Sequence, residues 1–399
     1  MSNGHLPYGH HSIDESDIQA VVDVLRSDRV TQGPAVEAFE VALGDFCGAA
    51  HVVAVSSGTA ALHLACLAAG LKTGDELVTS PLTFVASANC ALYCGARPRF
   101  VDIDANTLNL SPDGLETLLQ GQEGKARVKV ALPVHFGGLP SEMERIEQIA
   151  RTSGATIIED ASHALGSKWQ DTSGTWHRVG SCSHSDMAVL SFHPVKHITS
   201  GEGGAILTND AELFEKVKDL RTHGIVKDAE RLGSVDGPWY YEMQELGYNY
   251  RISDIQCALG ESQLKKIAGW VDRRRAIASR YEEAFECVDD VETGIEPSWA
   301  RSAHHLFVIL VSEQAPFGRK ALYEELHKRD IGVQVHYVPV HLQPYYREHF
   351  GFSEGDFPVA EDYYNRCLSL PIYPTLSDEE VDRVIDSVHQ SIAACRQAA

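Results

Sequence analysis

Ser191-Phe-His-Pro-Val-Lys196-His-Ile-Thr-Ser-Gly-Glu-Gly-Gly204 is the stretch on which the reading of this chain turns. An apolar run, Met187-Ala-Val-Leu-Ser-Phe192, enters it as a strand, and a small, Gly-rich turn follows the lysine. That setting suits an amine held at the edge of a pocket rather than one waving in solvent. Upstream, a second apolar run, Ala155-Thr-Ile-Ile-Glu-Asp160, ends in a carboxylate and continues as Ala161-Ser-His163. A lysine able to form a Schiff base and an aspartate able to hold a pyridinium nitrogen are the pair that pyridoxal phosphate (PLP) chemistry requires.

Around that pair the text supplies further candidates. Ser56-Ser57-Gly58-Thr59-Ala60 sits where a strand meets a helix. Small residues there let the backbone approach an anion, and free N–H groups at the helix start bind phosphate. By itself this is also an ordinary capped turn; its place upstream of Asp160 and Lys196 favours the phosphate role. Asp160 falls at the carboxyl end of its strand, where open α/β sheets place ligands. His163 is expected either to bond the ring substituents of the cofactor or to orient Asp160. Phe84, in Ser80-Pro-Leu-Thr-Phe-Val-Ala, is the candidate platform for ring stacking.

The surrounding text alternates short apolar runs with helical stretches from about residue 15 to 250. Strands are expected over 51–55, 75–79, 98–103, 128–134, 156–159, 187–192 and 205–208, with helices between them. That alternation predicts an α/β protein with a mostly parallel, seven-stranded type of sheet between helices. Residues 1–250 are assigned to this large domain with an N-terminal arm. Residues 251–399 are assigned to a smaller α+β domain, opened by one long helix over Ser253–Phe285 with a kink near Gly269. Pro339 to Tyr346 reads as a loop, and Asp228 to Pro238 as the best candidate for a mobile one.

Composition narrows the class. The chain has 399 residues, 44% of them hydrophobic, enough for about two domains. A net charge of −22 argues against nucleic acid or an anionic membrane as partner. No apolar run reaches the roughly 18 residues of a membrane span, and Met1 to Tyr8 lacks the features of a signal peptide. A cytoplasmic protein is the expectation. The nine cysteines are dispersed, and no set of cysteines or histidines has metal-ligand spacing, so no metal is expected.

With these residues in place the chain resembles the DegT/DnrJ/EryC1/StrS family of PLP-dependent nucleotide-sugar aminotransferases, of aminotransferase fold type I. The resemblance runs in order through Val30-Thr-Gln-Gly33, Ser57-Gly-Thr59, Asp160-Ala-Ser-His163, Ser191 to Lys196, Gly201-Glu-Gly-Gly204 and Gly247-Tyr-Asn-Tyr-Arg251. Three stretches are similar to the subgroup that aminates C4 of a UDP-linked 4-keto-6-deoxy-N-acetyl sugar in pseudaminic acid biosynthesis. They are Phe84 to Gly95, the His at 163, and Val335-His-Tyr-Val-Pro339 followed by His341-Leu-Gln-Pro-Tyr-Tyr346.

The resemblance implies ping-pong transamination with L-glutamate as donor, Lys196 carrying the Schiff base and relaying the proton, and a homodimer with shared active sites. It implies that Asn249 reaches the partner subunit's cofactor phosphate, that Ser191 faces phosphate or substrate, and that Arg251 approaches the nucleotide. It places Tyr8, the Asp28-Arg29-Val30-Thr31 turn, Gly58, and Gln334, Val335, His336 and Tyr337 around the sugar nucleotide. Both substrates are anions, and Arg29, Arg251, His336 and His341 are the candidate cations. A relative with other regiochemistry or a dTDP or GDP carrier is the main alternative, and a PLP-binding regulatory protein is the non-enzyme one.

Overall fold

The computed structural model describes residues 4–121 and 127–399, so the first three residues of the N-terminal reading lie outside it. Seven strands form the central sheet: β1 (His51–Val55), β2 (Glu76–Thr79), β3 (Arg97–Phe100), β4 (Val128–Leu132), β5 (Thr156–Asp160), β6 (Met187–Ser191) and β7 (Gly204–Thr208). Their spatial order is β1-β7-β6-β5-β4-β2-β3. Every neighbouring pair is parallel except those made by β7, which runs antiparallel to both β1 and β6.

Strand periodicity decides the two faces. Val52, Ala54, Ile157, Ala188, Leu190 and Leu207 point to one side; Val53, Val55, Ile158, Met187, Val189 and Ile206 point to the other. The first face is covered by α2 (Pro34–Cys47), α5 (Pro112–Gln120), α6 (Met143–Ser153) and α8 (Asp254–Leu264). The second is covered by α3 (Gly58–Ala68), α4 (Ala86–Tyr93) and α7 (Ala211–Arg221). Helix α3 is apolar nearly all round because it is enclosed nearly all round. On its inner side the Cys66 thiol meets those of Cys90 and Cys94 from α4.

The expected long helix divides in two. α8 ends at Leu264, and α9 (Ile267–Phe285) begins after a break at Lys265–Lys266, ahead of the expected kink at Gly269. Side chains at the end of α8 are recruited by α1 (Glu15–Arg26). Ser262 and Gln263 donate to the buried Asp17 carboxylate at 2.6 and 2.7 Å, and the Lys266 amine lies 2.8 Å from it. Pro339 to Tyr346, expected as a loop, contains a 3-10 turn at Val340–Leu342 and the start of a helix over Pro344–Phe350. Pro344 opens that helix, a position where its missing N–H costs nothing.

The last strand of the central sheet ends at Thr208, but the core changes later. Cys257, Leu264, Ile267 and Val271 pack with the large-domain core, whereas Ile277, Tyr281 and Phe285 join a second core. That second core contains the antiparallel strands Val291–Thr293, Phe307–Val311 and Cys367–Leu370, and also Leu6 from the N-terminal arm. The change of core therefore falls inside α9. Arg274 stands at that change, buried, donating to the carbonyls of His304 and Ile372 at 3.2 and 2.8 Å.

Helix α2 starts at Gly33, which has no side chain to cap it. Asp254, in the first turn of α8, supplies the cap across more than two hundred residues, accepting from Gly33 N at 2.8 Å and Ala35 N at 3.0 Å. Asp254→Ala should lower unfolding free energy by about 2 kcal/mol, read from the urea midpoint, and Asp254→Asn should lose less. Equal stability of all three proteins would remove this role.

Candidate active site

The carboxyl ends of β5 and β6 and the first turn of α3 converge on one cleft. Gly58 makes the convergence possible: a Cβ there would lie 2.9 Å from Ser191 Cβ. Gly204 does the same from below, since a Cβ there would lie 2.6 Å from the Ser57 carbonyl. Ser57 caps α3, accepting from Ala60 N at 3.1 Å, which leaves the N–H groups of Gly58 and Thr59 at the open helix start beside the Ser191 hydroxyl. This is an anion cradle built from backbone, dipole and one hydroxyl.

Lys196 follows in the turn after β6. Burial pushes its amine down to about 8, against the opposing pull of the Asp160 carboxylate. Among the described residues no carboxylate oxygen lies within 4.0 Å of it, so no ion pair occupies the amine. Asp160 is buried at the end of β5. Its Oδ2 accepts from Ser87 Oγ at 2.7 Å and its Oδ1 from Ser162 N at 3.1 Å.

His163 does not contact the Asp160 side chain. Its Nε2 meets the Tyr337 hydroxyl at 3.2 Å, and its ring packs on His305 with centroids 4.3 Å apart. Burial, and then the charge of Lys196, hold its pKa well below the ordinary histidine value. Burial raises the Tyr337 phenol, so Tyr337 keeps its proton and is able to donate to Nε2; with Tyr337 as the donor, His163 carries its own proton on the other nitrogen. The ring proton of His163 then sits on Nδ1, a buried atom with no partner in the fold. A buried donor without an acceptor marks a place for a ligand oxygen.

The small domain and the N-terminal arm close the cleft. His336 Nδ1 bonds Ser369 Oγ at 2.8 Å, and the Tyr8 ring lies 5.1 Å from the His336 ring. The arm is held in place by Leu6, whose N–H donates to the Asp330 carbonyl and whose carbonyl accepts from Gly332 N. Gln334 pairs with Ser369 through both backbone groups, and Val335 follows as its N–H donates to Gln334 Oε1. Phe84 is more than half exposed, with its ring 6.2 Å from Tyr337.

Other candidates stand elsewhere on the protomer. Asp28, Arg29, Val30 and Thr31 form an exposed turn that docks on the start of α8, Val30 O accepting from Asp254 N. Arg251 pairs through its backbone with Val55 and lines a groove between α2, β1 and α7 with Glu37, Glu40, Lys218 and Arg221. Asn249 is exposed on the same segment, its backbone bridged to Thr222.

The two histidines do not match the cationic role given to them. Burial, and then the nearby lysine charge, push His336 down to about 4, so it is neutral at pH 7. His341 is fully buried, packed on Phe357 and held by Glu361 at 2.9 Å, and burial lowers its pKa as well. Sequence reasoning missed Ser87, Ser162, His305 and Ser369, which touch the candidates rather than resembling them. Only Ser87 had a readable signal, a hydroxyl one turn after Thr83 at a helix start. Among the described residues no cluster of three or more His, Cys, Asp or Glu side chains is placed to hold a metal, and no helix is long and apolar enough to cross a membrane.

The residues present fit PLP: an anion cradle for the phosphate, a buried carboxylate for the ring nitrogen, an unpartnered donor for a ring oxygen, and an unpaired amine. Known proteins point the same way. The model of the DegT/DnrJ/EryC1/StrS aminotransferase family matches residues 11–389. Spore coat polysaccharide biosynthesis protein SpsC of Bacillus subtilis is 41% identical over 392 residues, 98% of each chain. The UDP-4-amino-4,6-dideoxy-N-acetyl-beta-L-altrosamine transaminase of Campylobacter jejuni is 38% identical over 383 residues, 96% of each chain. Among solved structures, Helicobacter pylori PseC, an aminotransferase of pseudaminic acid biosynthesis, superposes with TM-score 0.88 at 32% identity, over 98% of this chain and 100% of PseC. Spr1654 of Streptococcus pneumoniae, solved in PMP and PLP forms, superposes with TM-scores of 0.88 and 0.87 at 28% identity, over 98% of this chain and 100% and 99% of those chains. This chain is a PLP-dependent member of the DegT/DnrJ/EryC1/StrS aminotransferase family, with the α/β fold of its aminotransferases.

Proposed function

We propose that this protein transfers the amino group of L-glutamate to C4 of a UDP-linked 4-keto-6-deoxy-N-acetylhexosamine, the transamination step of pseudaminic acid biosynthesis. The observation that carries the proposal is the placement of Tyr8, His336 and Tyr337 as an uncharged wall beside Lys196. It agrees with the activities for which the Campylobacter jejuni relative and PseC are named. A second reading, a family member with other regiochemistry or another nucleotide carrier, is favoured by the more similar Bacillus subtilis relative, whose name refers to spore coat polysaccharide.

PLP, when bound, supplies a carbonyl that takes an amino group from a donor and passes it to a keto sugar. The chain's own residues do the rest. Ser57, Gly58, Thr59 and Ser191 would hold the phosphate, Asp160 the ring nitrogen and His163 a ring oxygen, and Phe84 would stack on the ring. Lys196, when its amine is free, takes and returns the proton at the reacting carbon. Its lowered pKa makes it a competent base near neutral pH, since the ordinary lysine value would leave it almost wholly protonated.

We read the protein as a homodimer, and the position of two arginines supports that reading. Arg29, Arg251 and Asn249 lie on the edge formed by α8, β1 and the 249–251 segment, and a second copy would bring that edge over a cleft. The loop that precedes Asn249 carries Trp239, Met243 and Leu246 at 72%, 63% and 75% exposure, apolar side chains that a second copy would cover. In the dimer Asn249 reaches the partner's cofactor phosphate, and Arg29 and Arg251 approach the nucleotide. The reading places the enzyme in the cytoplasm, where sugar nucleotides and glutamate are available.

Three measurements bear on this. Single-turnover amination of the keto sugar should speed up as pH rises through about 8, because the neutral amine is the proton acceptor; a flat profile would remove Lys196 from the proton step. Mass spectrometry of products from a panel of keto-sugar nucleotides with glutamate should show the UDP-linked 4-keto-6-deoxy-N-acetylhexosamine aminated at C4 and dTDP-4-keto-6-deoxyglucose poorly used. The reverse order would replace this reading with the second one. Mixing inactive Lys196→Ala with inactive Asn249→Ala subunits should restore up to about a quarter of wild-type activity, since half the molecules are mixed dimers with one undamaged site in two. No recovery despite subunit exchange would count against the shared site.

A further inference from the structure

Asp160 has no cationic neighbour to hold it: among the described residues no Lys, Arg or His nitrogen lies within 4.0 Å of its carboxylate. Its partners are neutral. Ser87 Oγ lies 2.7 Å from Oδ2, and Thr83 Oγ1 lies 2.8 Å from Ser87 Oγ. All three side chains are buried, with Thr83, Ser87 and Asp160 at 3%, 1% and 4% exposure, so water does not substitute for any of these bonds.

The polarity of this chain is decided by counting protons. A carboxylate cannot donate, so Ser87 spends its single hydroxyl proton on Asp160. Ser87 Oγ is then an acceptor only toward Thr83, and Thr83 donates. A hydroxyl that itself accepts a hydrogen bond is a stronger donor to the next group. Serine and threonine near a helix start ordinarily cap it. Here α4 begins after Val85 with no side-chain cap; the Ser87 hydroxyl is directed to Asp160 and the Thr83 hydroxyl to Ser87 instead.

We propose that Thr83 and Ser87 form a positioning relay that sets the orientation and the basicity of the Asp160 carboxylate toward the cofactor ring nitrogen. The proposal rests on the reading that Asp160 holds that nitrogen. The relay draws electron density from Oδ2, while Ser162 N fixes Oδ1, so the carboxylate plane is set from two elements. Without Ser87 the carboxylate pulls the ring proton more strongly toward itself. The ring then withdraws electrons less well, which raises the midpoint of the bound cofactor's pH-dependent absorption band and slows its bleaching by glutamate.

The test uses full-length protein loaded with PLP, with the band titrated in the resting enzyme and its bleaching followed by stopped flow. Ser87→Ala should move the band midpoint up by about half a pH unit and slow bleaching on the order of tenfold, the size expected for loss of a hydrogen bond to a charged group. Ser87→Thr should return both to within about threefold of wild type. Thr83→Val, which keeps shape, should give a smaller change in the same directions. The double variant should be no worse than Ser87→Ala, because Thr83 acts only through Ser87. An unmoved band and normal bleaching in Ser87→Ala would overturn the relay, and so would effects of the two substitutions that multiply. Asp160→Asn separates the two ideas. If it alters the band while Ser87→Ala does not, the relay fails and the role of Asp160 stands; if neither alters it, both fail.

Discussion

Everything in this site depends on how closely the first turn of α3 approaches the ends of β6 and β7. Gly58 lies against Ser191, and Gly204 lies beneath Ser57, at separations that leave no room for a Cβ on either glycine. The approach puts the positive end of a helix beside the strand end that leads into Lys196, and next to β5 with Asp160. The spacing of the helix start, the Asp160 carboxylate and the Lys196 amine is thereby set by backbone rather than by flexible side chains. The antiparallel β7 is part of the same constraint: it returns the chain from the lysine turn to the sheet, alongside β1, whose end feeds α3.

The electrostatics are arranged around the lysine by withholding charge. His163, His197, His305 and His336 all lie within electrostatic reach of Lys196, and burial holds each of them below the ordinary histidine value. An amine surrounded by neutral imidazoles and removed from water gives up its proton more readily than a lysine in solvent. The protein as a whole carries −22, so its long-range field repels anionic substrates. Attraction has to be local, from the α3 terminus inside the cleft and from the arginines on the α8 edge.

How much of this was legible depended on whether the signal was local. The seven strands could be read from apolar runs bounded by turns, and their observed limits lie within three residues of the expected ones. Lys196, Asp160 and Ser57 to Thr59 were legible because each combines a chemical type with a strand end. The break between α8 and α9 was not, since its cause is Asp17, nearly 250 residues away, drawing on Ser262, Gln263 and Lys266. The same holds for His341: in sequence it is a histidine beside a candidate pocket segment, and only Glu361 and Phe357 reveal it as a packed, bonded core residue. His163 was expected to bond the cofactor or steady Asp160; its geometry turns it to Tyr337 on one nitrogen and leaves the other free.

From the order of residues alone came the alternating α/β architecture, the identity of the cofactor, and the amine and carboxylate proposed to handle it. These are properties of short segments, in which hydrophobic period, glycine placement and a reactive side chain are neighbours along the chain. Tertiary structure alone decided that Ser87 holds Asp160, that His336 is neutral, that the core changes within α9, and that Arg251 lines a groove with Glu40 and Arg221. Each of those depends on burial or on contact between segments distant in sequence, and neither desolvation nor distance is written in a list of residues.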